Sequence, residues 1–289
     1  MTLWHAGRLT PGQDAWVARH LADPVLVADM SWNLIDTAVL HVRDRSGSRD
    51  RVVKAGGADN HHIPRELIAH RTWTDVLTRS GHAQRLIDAD DGHRVLLLEY
   101  LPGTLVQDSA ARLDSDIHRQ AGRLLRLFHD QATLIDETFD SRASAKSLQW
   151  LDRPHRIAPE LEERARGILS ADVTTDVGLV PTHGDWHERN WLLHDGVVRA
   201  IDFGRFDFRP AIADFTRLAA GTWRTHPALE RAFFEGYGED PRESEPWRRE
   251  MLRQAIGTAC WAYQVNDAAF EAHGHRMLRD ALDAFSDRL

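Results

Sequence analysis

Three oxygen-bearing side chains recur at fixed intervals within one short stretch. Asp185 lies in His183-Gly184-Asp185-Trp186-His187-Glu188-Arg189-Asn190, Asn190 follows five positions on, and Asp202 stands seventeen positions after Asp185 in Ile201-Asp202-Phe203-Gly204. The apolar pairs Leu192-Leu193 and Val197-Val198 run between them, separated by the turn residues His194-Asp195-Gly196. Phosphoryl transfer from a nucleotide needs such a set: one carboxylate to take or orient the acceptor's hydroxyl proton, and an oxygen pair to hold Mg²⁺. Either motif alone is weak evidence. The two together, in this order and joined by a hairpin, point to that chemistry.

The basic residues add a fourth group. Of 36 lysines and arginines only Lys54 and Lys146 are lysine. Lys54 ends the β-branched run Arg51-Val52-Val53-Lys54-Ala55, where a strand would present an ammonium into a cleft, and a compact point charge suits nucleotide phosphates.

The elements that must position these groups follow from periodicity. Val25–Met30, Thr37–Arg43 and Arg51–Ala55 read as short antiparallel strands, and Pro64 opens a helix through about Arg79. Two more strands, Gln84–Ala89 and His93–Tyr100, flank Asp90-Asp91-Gly92, so a five-stranded sheet carrying one helix is expected. Beyond Leu101-Pro102-Gly103-Thr104 the signals are helical, over Asp114–Gln131, Leu148–Leu169, Ala213–Gly236, Ser244–Val265 and Ala268–Phe285, with strands expected only in the hairpin around Asp195. His61-His62 reads as a solvated loop.

Composition sets the class. The chain has 289 residues, 42% hydrophobic and 28% charged, with no apolar run of membrane-spanning length and no signal-peptide pattern at Met1-Thr2-Leu3-Trp4-His5. A single cysteine, Cys260, excludes an intramolecular disulfide and fits a reducing cytoplasm. Net charge is −8, and the acidic excess falls almost wholly after residue 100. That balance disfavours nucleic acid and is compatible with a cationic small substrate. His183 and His187 have zinc-ligand spacing, but Gly184 interrupts any helix between them, and zinc is not expected.

A small strand-rich lobe, a Pro/Gly hinge and a larger helical lobe describe an α+β, bilobal, protein-kinase-like fold. Lobes are expected at 1–100 and 105–289 with the hinge at 101–104. The residues resemble one branch, the aminoglycoside phosphotransferase and choline kinase family of small-molecule kinases. The likeness spans nearly the whole chain: Val53-Lys54, Glu66, Leu98-Glu99-Tyr100-Leu101-Pro102-Gly103, Gly122 to His129, the His-Gly-Asp and Ile-Asp-Phe-Gly motifs, Arg209 to Phe215, and Phe233 to Gly238. No activation segment ending in Ala-Pro-Glu follows, which argues against a protein substrate.

The resemblance implies ATP and Mg²⁺ as cofactors, and the sequence does not separate ATP from GTP. It implies Asp185 as catalytic base, Asn190 and Asp202 as Mg²⁺ ligands, and Lys54 on the α and β phosphates, held by Glu66. Backbone groups near Glu99 and Leu101 would bond adenine, His183 would brace the loop, and Asp214 would be structural. The segment where phosphate-binding glycines are usual reads Met30-Ser31-Trp32-Asn33-Leu34-Ile35, so Ser31 and Asn33 are expected to donate from side chains. Arg205, just past the metal motif, has no assigned role. The acceptor is expected to be a small, cationic antibiotic, touched by Asp207, Glu188, Glu235 and Trp186, in a monomer or homodimer with no nucleic-acid or membrane partner. A metabolic kinase for an amino alcohol, sugar or nucleoside would share every catalytic residue. A non-catalytic module would be expected to lack Lys54, Asp185 or Asp202.

Overall fold

A period of two governs the first third of the chain. In the computed structural model, which describes residues 3–32, 36–45, 49–171 and 176–286, five strands form one antiparallel sheet in the order β1-β2-β3-β5-β4. They are β1 (Pro24–Asp29), β2 (Thr37–Asp44), β3 (Asp50–Gly56), β4 (Leu86–Asp90) and β5 (Val95–Glu99). Val53 and Ala55 of β3 and Val95 and Leu97 of β5 share one face with Trp16 and Val17 of helix α1 (Pro11–Val17). Their neighbours Val52, Leu96 and Leu98 point the other way, onto Ile63 and Leu67 of helix α2 (His62–Thr72). Lys54 takes this second face by parity, paired across the sheet with Val39 and Leu96.

Helix α1 has no counterpart in the sequence reading, although Thr10 and Gln13 form a complete capping box around its start. The helix expected over 64–79 is two helices, because the Trp73 and Thr74 N–H groups both converge on the Ala69 carbonyl. That convergence ends the ladder at Thr72, and α3 (Asp75–Thr78) restarts it. His62 begins α2 instead of lying in a solvated loop, and its Nδ1 is 3.0 Å from the Gly204 carbonyl oxygen.

The remaining elements in chain order are β6 (Thr104–Leu105), α4 (Ser115–His129), β7 (Leu134–Asp136), α5 (Phe139–Leu151), α6 (Pro159–Ser170), β8 (Val177–Thr182), β9 (Trp191–His194), β10 (Val197–Ala200) and β11 (Asp207–Arg209). Helices α7 (Thr216–Ala220), α8 (Thr222–Thr225), α9 (Pro227–Tyr237), α10 (Ser244–Gln264) and α11 (Ala268–Ser286) complete the chain. Two long helices expected from periodicity are broken. The one over 148–169 is interrupted after Leu151, where Pro154 falls in the break and Pro159 opens α6. The one over 213–236 is a 3₁₀ turn followed by α7, α8 and α9, with Gly221 and Pro227 at the joins. Strands β6, β7, β8 and β11 were not expected.

The chain divides into two compact units. The first comprises Met1–Gln131, Pro181–Asp207 and His226–Gly238. It holds the five-stranded sheet, α4, α9 and the β9–β10 hairpin, whose Asp195 and Gly196 both take positive φ, as a two-residue turn of this hand requires. Helices α4 and α9 cross closely at Gly122 and Gly236, where a Cβ on either would run into a backbone carbonyl of the other helix. The Tyr237 hydroxyl then meets His129 Nδ1 at 2.9 Å. The second unit, Ala132–Val180, Phe208–Thr225 and Glu239–Leu289, has its core between α5, α6, α10 and α11, around Leu151, Leu169, Leu252, Ile256 and Leu278. Cys260 is fully buried there, and burial pushes its thiol pKa up to about 11. Among the described residues no helix is long and apolar enough to cross a membrane.

Candidate active site

The site is built within the first unit. Lys54 Nζ lies 2.7 Å from Glu66 Oε1 and 3.3 Å from Asp202 Oδ1. Lys54 and Glu66 are both buried, whereas the Asp202 side chain is half exposed. Burial alone would lower the lysine pKa, but the carboxylates of Asp202 and Glu66 outweigh it and hold the ammonium above its ordinary value. Glu66 shows the converse: burial would raise its pKa, and Lys54 with His70 holds it below the ordinary range. Asp202 takes a left-handed conformation, φ 66°, uncommon outside glycine.

The loop before β9 is organised by His183. The Asp185 N–H donates to His183 Nδ1 at 3.3 Å, so Nε2 carries the ring proton and donates to the Ile201 carbonyl at 3.0 Å. One buried imidazole thus ties the residue preceding Asp202 to the backbone of Asp185. Asn190 completes the link. Its Nδ2 donates to the Asp185 carbonyl at 2.8 Å and to Asp185 Oδ2 at 3.3 Å, and its carbonyl accepts from Ile201 N–H at 3.0 Å. Asp185 is itself buried, and Arg189 Nη2 donates to its Oδ2 at 3.1 Å. Arg205 Nε stands 3.9 Å from the same oxygen, and His187 Nε2 lies 3.5 Å from Oδ1. The Arg189 guanidinium lies over the Trp32 ring, 5.2 Å from its centroid.

Other expected residues are placed as follows. The Ser31 hydroxyl oxygen accepts from Val39 N–H at 2.9 Å; Asn33 lies outside the described residues. At the end of β5, Glu99 N–H bonds to the Arg85 carbonyl, its carboxylate pairs with Arg85, and its carbonyl accepts from Gln84 Nε2 at 3.0 Å. A carbonyl has two lone pairs, so one remains for a second donor. Leu101 lies in the coil between β5 and β6. Trp186 is fully buried and packs edge-on against His183 and Trp191, inside the loop. Glu188 is also buried. The Asp207 carboxylate is half exposed with Arg65 at 4.0 Å, and Glu235 is exposed and held by Arg119 at 2.7 Å. Asp214 belongs to the second unit and is buried in its 3₁₀ turn.

Four contacts at the site were missed in the sequence. Trp32, Arg189, Gln84 and His62 each act across segments distant in the chain, except for Arg189 on Asp185, whose spacing of four residues was available as a signal.

The profile of the phosphotransferase enzyme family (APH) matches residues 45–247. No curated protein matches by sequence. Among solved structures, the apo form of a thermostable mutant of aminoglycoside phosphotransferase APH(4)-Ia is 13% identical, with TM-score 0.70 over 93% of this chain and 98% of the other. Choline kinase LicA from Streptococcus pneumoniae is 15% identical, with TM-score 0.66 over 93% and 97%. Macrolide 2'-phosphotransferase MphH from Brachybacterium faecium is 17% identical, with TM-score 0.61 over 91% and 96%. These likenesses give the fold, and the family profile gives the class. With 70% of its length inside that profile, the chain belongs to the phosphotransferase enzyme family and is a small-molecule kinase with an alcohol group as acceptor.

Proposed function

We propose that the chain transfers the terminal phosphoryl group of ATP to a hydroxyl of a small molecule, with Mg²⁺ as the metal. The observation that carries this reading is the pair of direct linkages in one unit: Lys54 with Glu66 and Asp202, and Asp185 with Asn190. The residues fit both groups. The Asn190 amide nitrogen is committed to Asp185, which leaves Oδ1 as its coordinating end, and Asp202 offers a half-exposed carboxylate. Two hard oxygens suit a cation that completes its shell with phosphates and water. Bound ATP·Mg²⁺ supplies the phosphoryl group and neutralises charge developing upon it.

The chain's own residues divide the remaining work. Asp185 accepts the acceptor's hydroxyl proton at a carboxylate oxygen. Lys54 exchanges its contact with Asp202 for nucleotide phosphate, while Glu66 keeps it in place. Ser31 keeps its hydroxyl proton to donate while its oxygen accepts from Val39 N–H. Backbone groups at Glu99 and Leu101 bind the base, with Gln84 fixing the Glu99 carbonyl.

Removing either carboxylate tests the reading. Asp185→Ala and Asp202→Ala are each expected to lower turnover about 10³-fold in an ADP-release assay. Activity within tenfold of wild type in a folded variant sinks the assignment. Likeness leaves the acceptor open, since the similar structures are named for an aminoglycoside, a macrolide and choline. The cationic-antibiotic reading is tested by expression in a sensitive host against aminoglycosides, cyclic cationic peptides and nucleoside antibiotics. Resistance that disappears in Asp185→Ala supports it.

A further inference from the structure

Charge at the proposed base is arranged against a cation. Three basic groups stand within 4 Å of the Asp185 carboxylate: Arg189 at 3.1 Å, Arg205 at 3.9 Å and, charged when protonated, His187 at 3.5 Å. The acidic residues expected to receive a cationic acceptor lie elsewhere: Glu188 is buried, Asp207 has Arg65 at 4.0 Å, and Glu235 is held by Arg119. An acceptor must bring its hydroxyl to Asp185 and therefore brings its adjoining substituents to Arg189.

Arg189 is set up to bind, not merely to neutralise. Its side chain is 39% exposed, Asp185 takes one of its five N–H donors, and the Trp32 ring lies beneath the guanidinium carbon, 5.2 Å from it to the ring centroid. A guanidinium fixed on an aromatic face loses little freedom when it forms a second, forked pair with an oxyanion. The nucleotide side of the site already has its cation in Lys54, which reaches Asp202 and not Asp185.

We propose that the acceptor carries an oxyanion, carboxylate or phosphate, close to the hydroxyl that is phosphorylated, and that Arg189 seated on Trp32 binds it. The proposal rests on Asp185 being the base. Arg205 adds positive charge on the same side. Acceptors bearing an ammonium near the hydroxyl meet two guanidinium groups and are disfavoured, which is specificity by repulsion as well as attraction.

Matched acceptors test this. The sets are glycerate and glycerol 3-phosphate against glycerol and 3-aminopropane-1,2-diol, and gluconate against glucose and glucosamine, with ADP release as the readout. The anionic members are expected to be the best substrates, with the carboxylate and phosphate arms separating the two oxyanions. Arg189→Gln should raise the KM of the preferred acceptor about tenfold to a hundredfold, the worth of a charge-assisted pair, and leave the KM for ATP within about twofold. Arg189→Lys should lie between. Preference for the amine members overturns the proposal while leaving the kinase reading intact. So does a rise in the KM for ATP, which would assign Arg189 to the nucleotide. Failure of the wild-type protein to bind ATP overturns both readings. Where no member is phosphorylated, binding of inorganic sulfate is measured with a non-hydrolysable ATP analogue filling the nucleotide site. Binding lost in Arg189→Gln supports the proposal, and absence of binding in wild type overturns it.

Discussion

Replacing His183 removes two hydrogen bonds at once, because one ring accepts from Asp185 N–H and donates to the Ile201 carbonyl. His183→Ala therefore loosens the proposed base and the residue before Asp202 together. Outer partners of this kind typically cost about 10–100-fold, so turnover should fall by that amount, less than in Asp185→Ala. A twofold loss or smaller would show that the loop holds its shape without the ring. The spacing of Asp185, Asn190 and Asp202 was legible in the sequence because all three flank one local hairpin. The contacts of Trp32, Gln84 and His62 were not: Gln84 reaches Glu99 fifteen positions on, the other two join segments more than a hundred residues apart, and none leaves a periodic trace.

At the scale of elements, alternation placed Lys54 on the α2 face of the sheet and Glu66 one turn into the helix that covers it. Period two and an apolar helix stripe were readable. The breaks in the longer helical runs were less so, because prolines and a glycine interrupt patterns that remain apolar on both sides. The buried pair has a defined pH signature. Glu66 is held below its reference value of 4.5, so its contribution is complete above that pH and is lost as pH falls through the depressed value. Lys54 is held above 10.5, so its contribution is complete below that pH and is lost as pH rises through the raised value. Lys54→Met strands a buried carboxylate and should cost about 3 kcal/mol near pH 8. Burial then favours protonation of Glu66, so the deficit should narrow towards pH 5. Thermal midpoints of variant and wild type at both values measure it. A deficit that does not change with pH would mean that Glu66 stays charged without Lys54.

Across the whole molecule, every residue proposed to touch the nucleotide or metal and described in the structure, Ser31, Lys54, Glu66, Glu99, Leu101, Asn190 and Asp202, falls within one compact unit. Fold class was legible from the order of strand and helix signals. Which distant segments share a unit was not, because 181–207 and 226–238 join the N-terminal region only through non-local packing. Binding to one unit still reports on the protein through mass action, since any ligand of the folded state raises its apparent stability. A non-hydrolysable ATP analogue with Mg²⁺ at a hundred times its dissociation constant should add about 2.7 kcal/mol, raising the thermal midpoint by roughly 5–10 °C. Asp185→Ala should keep this shift, because the base serves the acceptor and not the nucleotide. Asp202→Ala should lose the part that depends on Mg²⁺, since Asp202 is one of only two proposed protein ligands. An equal shift in Asp202→Ala, or one indifferent to chelation of Mg²⁺, would remove Asp202 from the metal site and leave Lys54 as the residue that holds the phosphates.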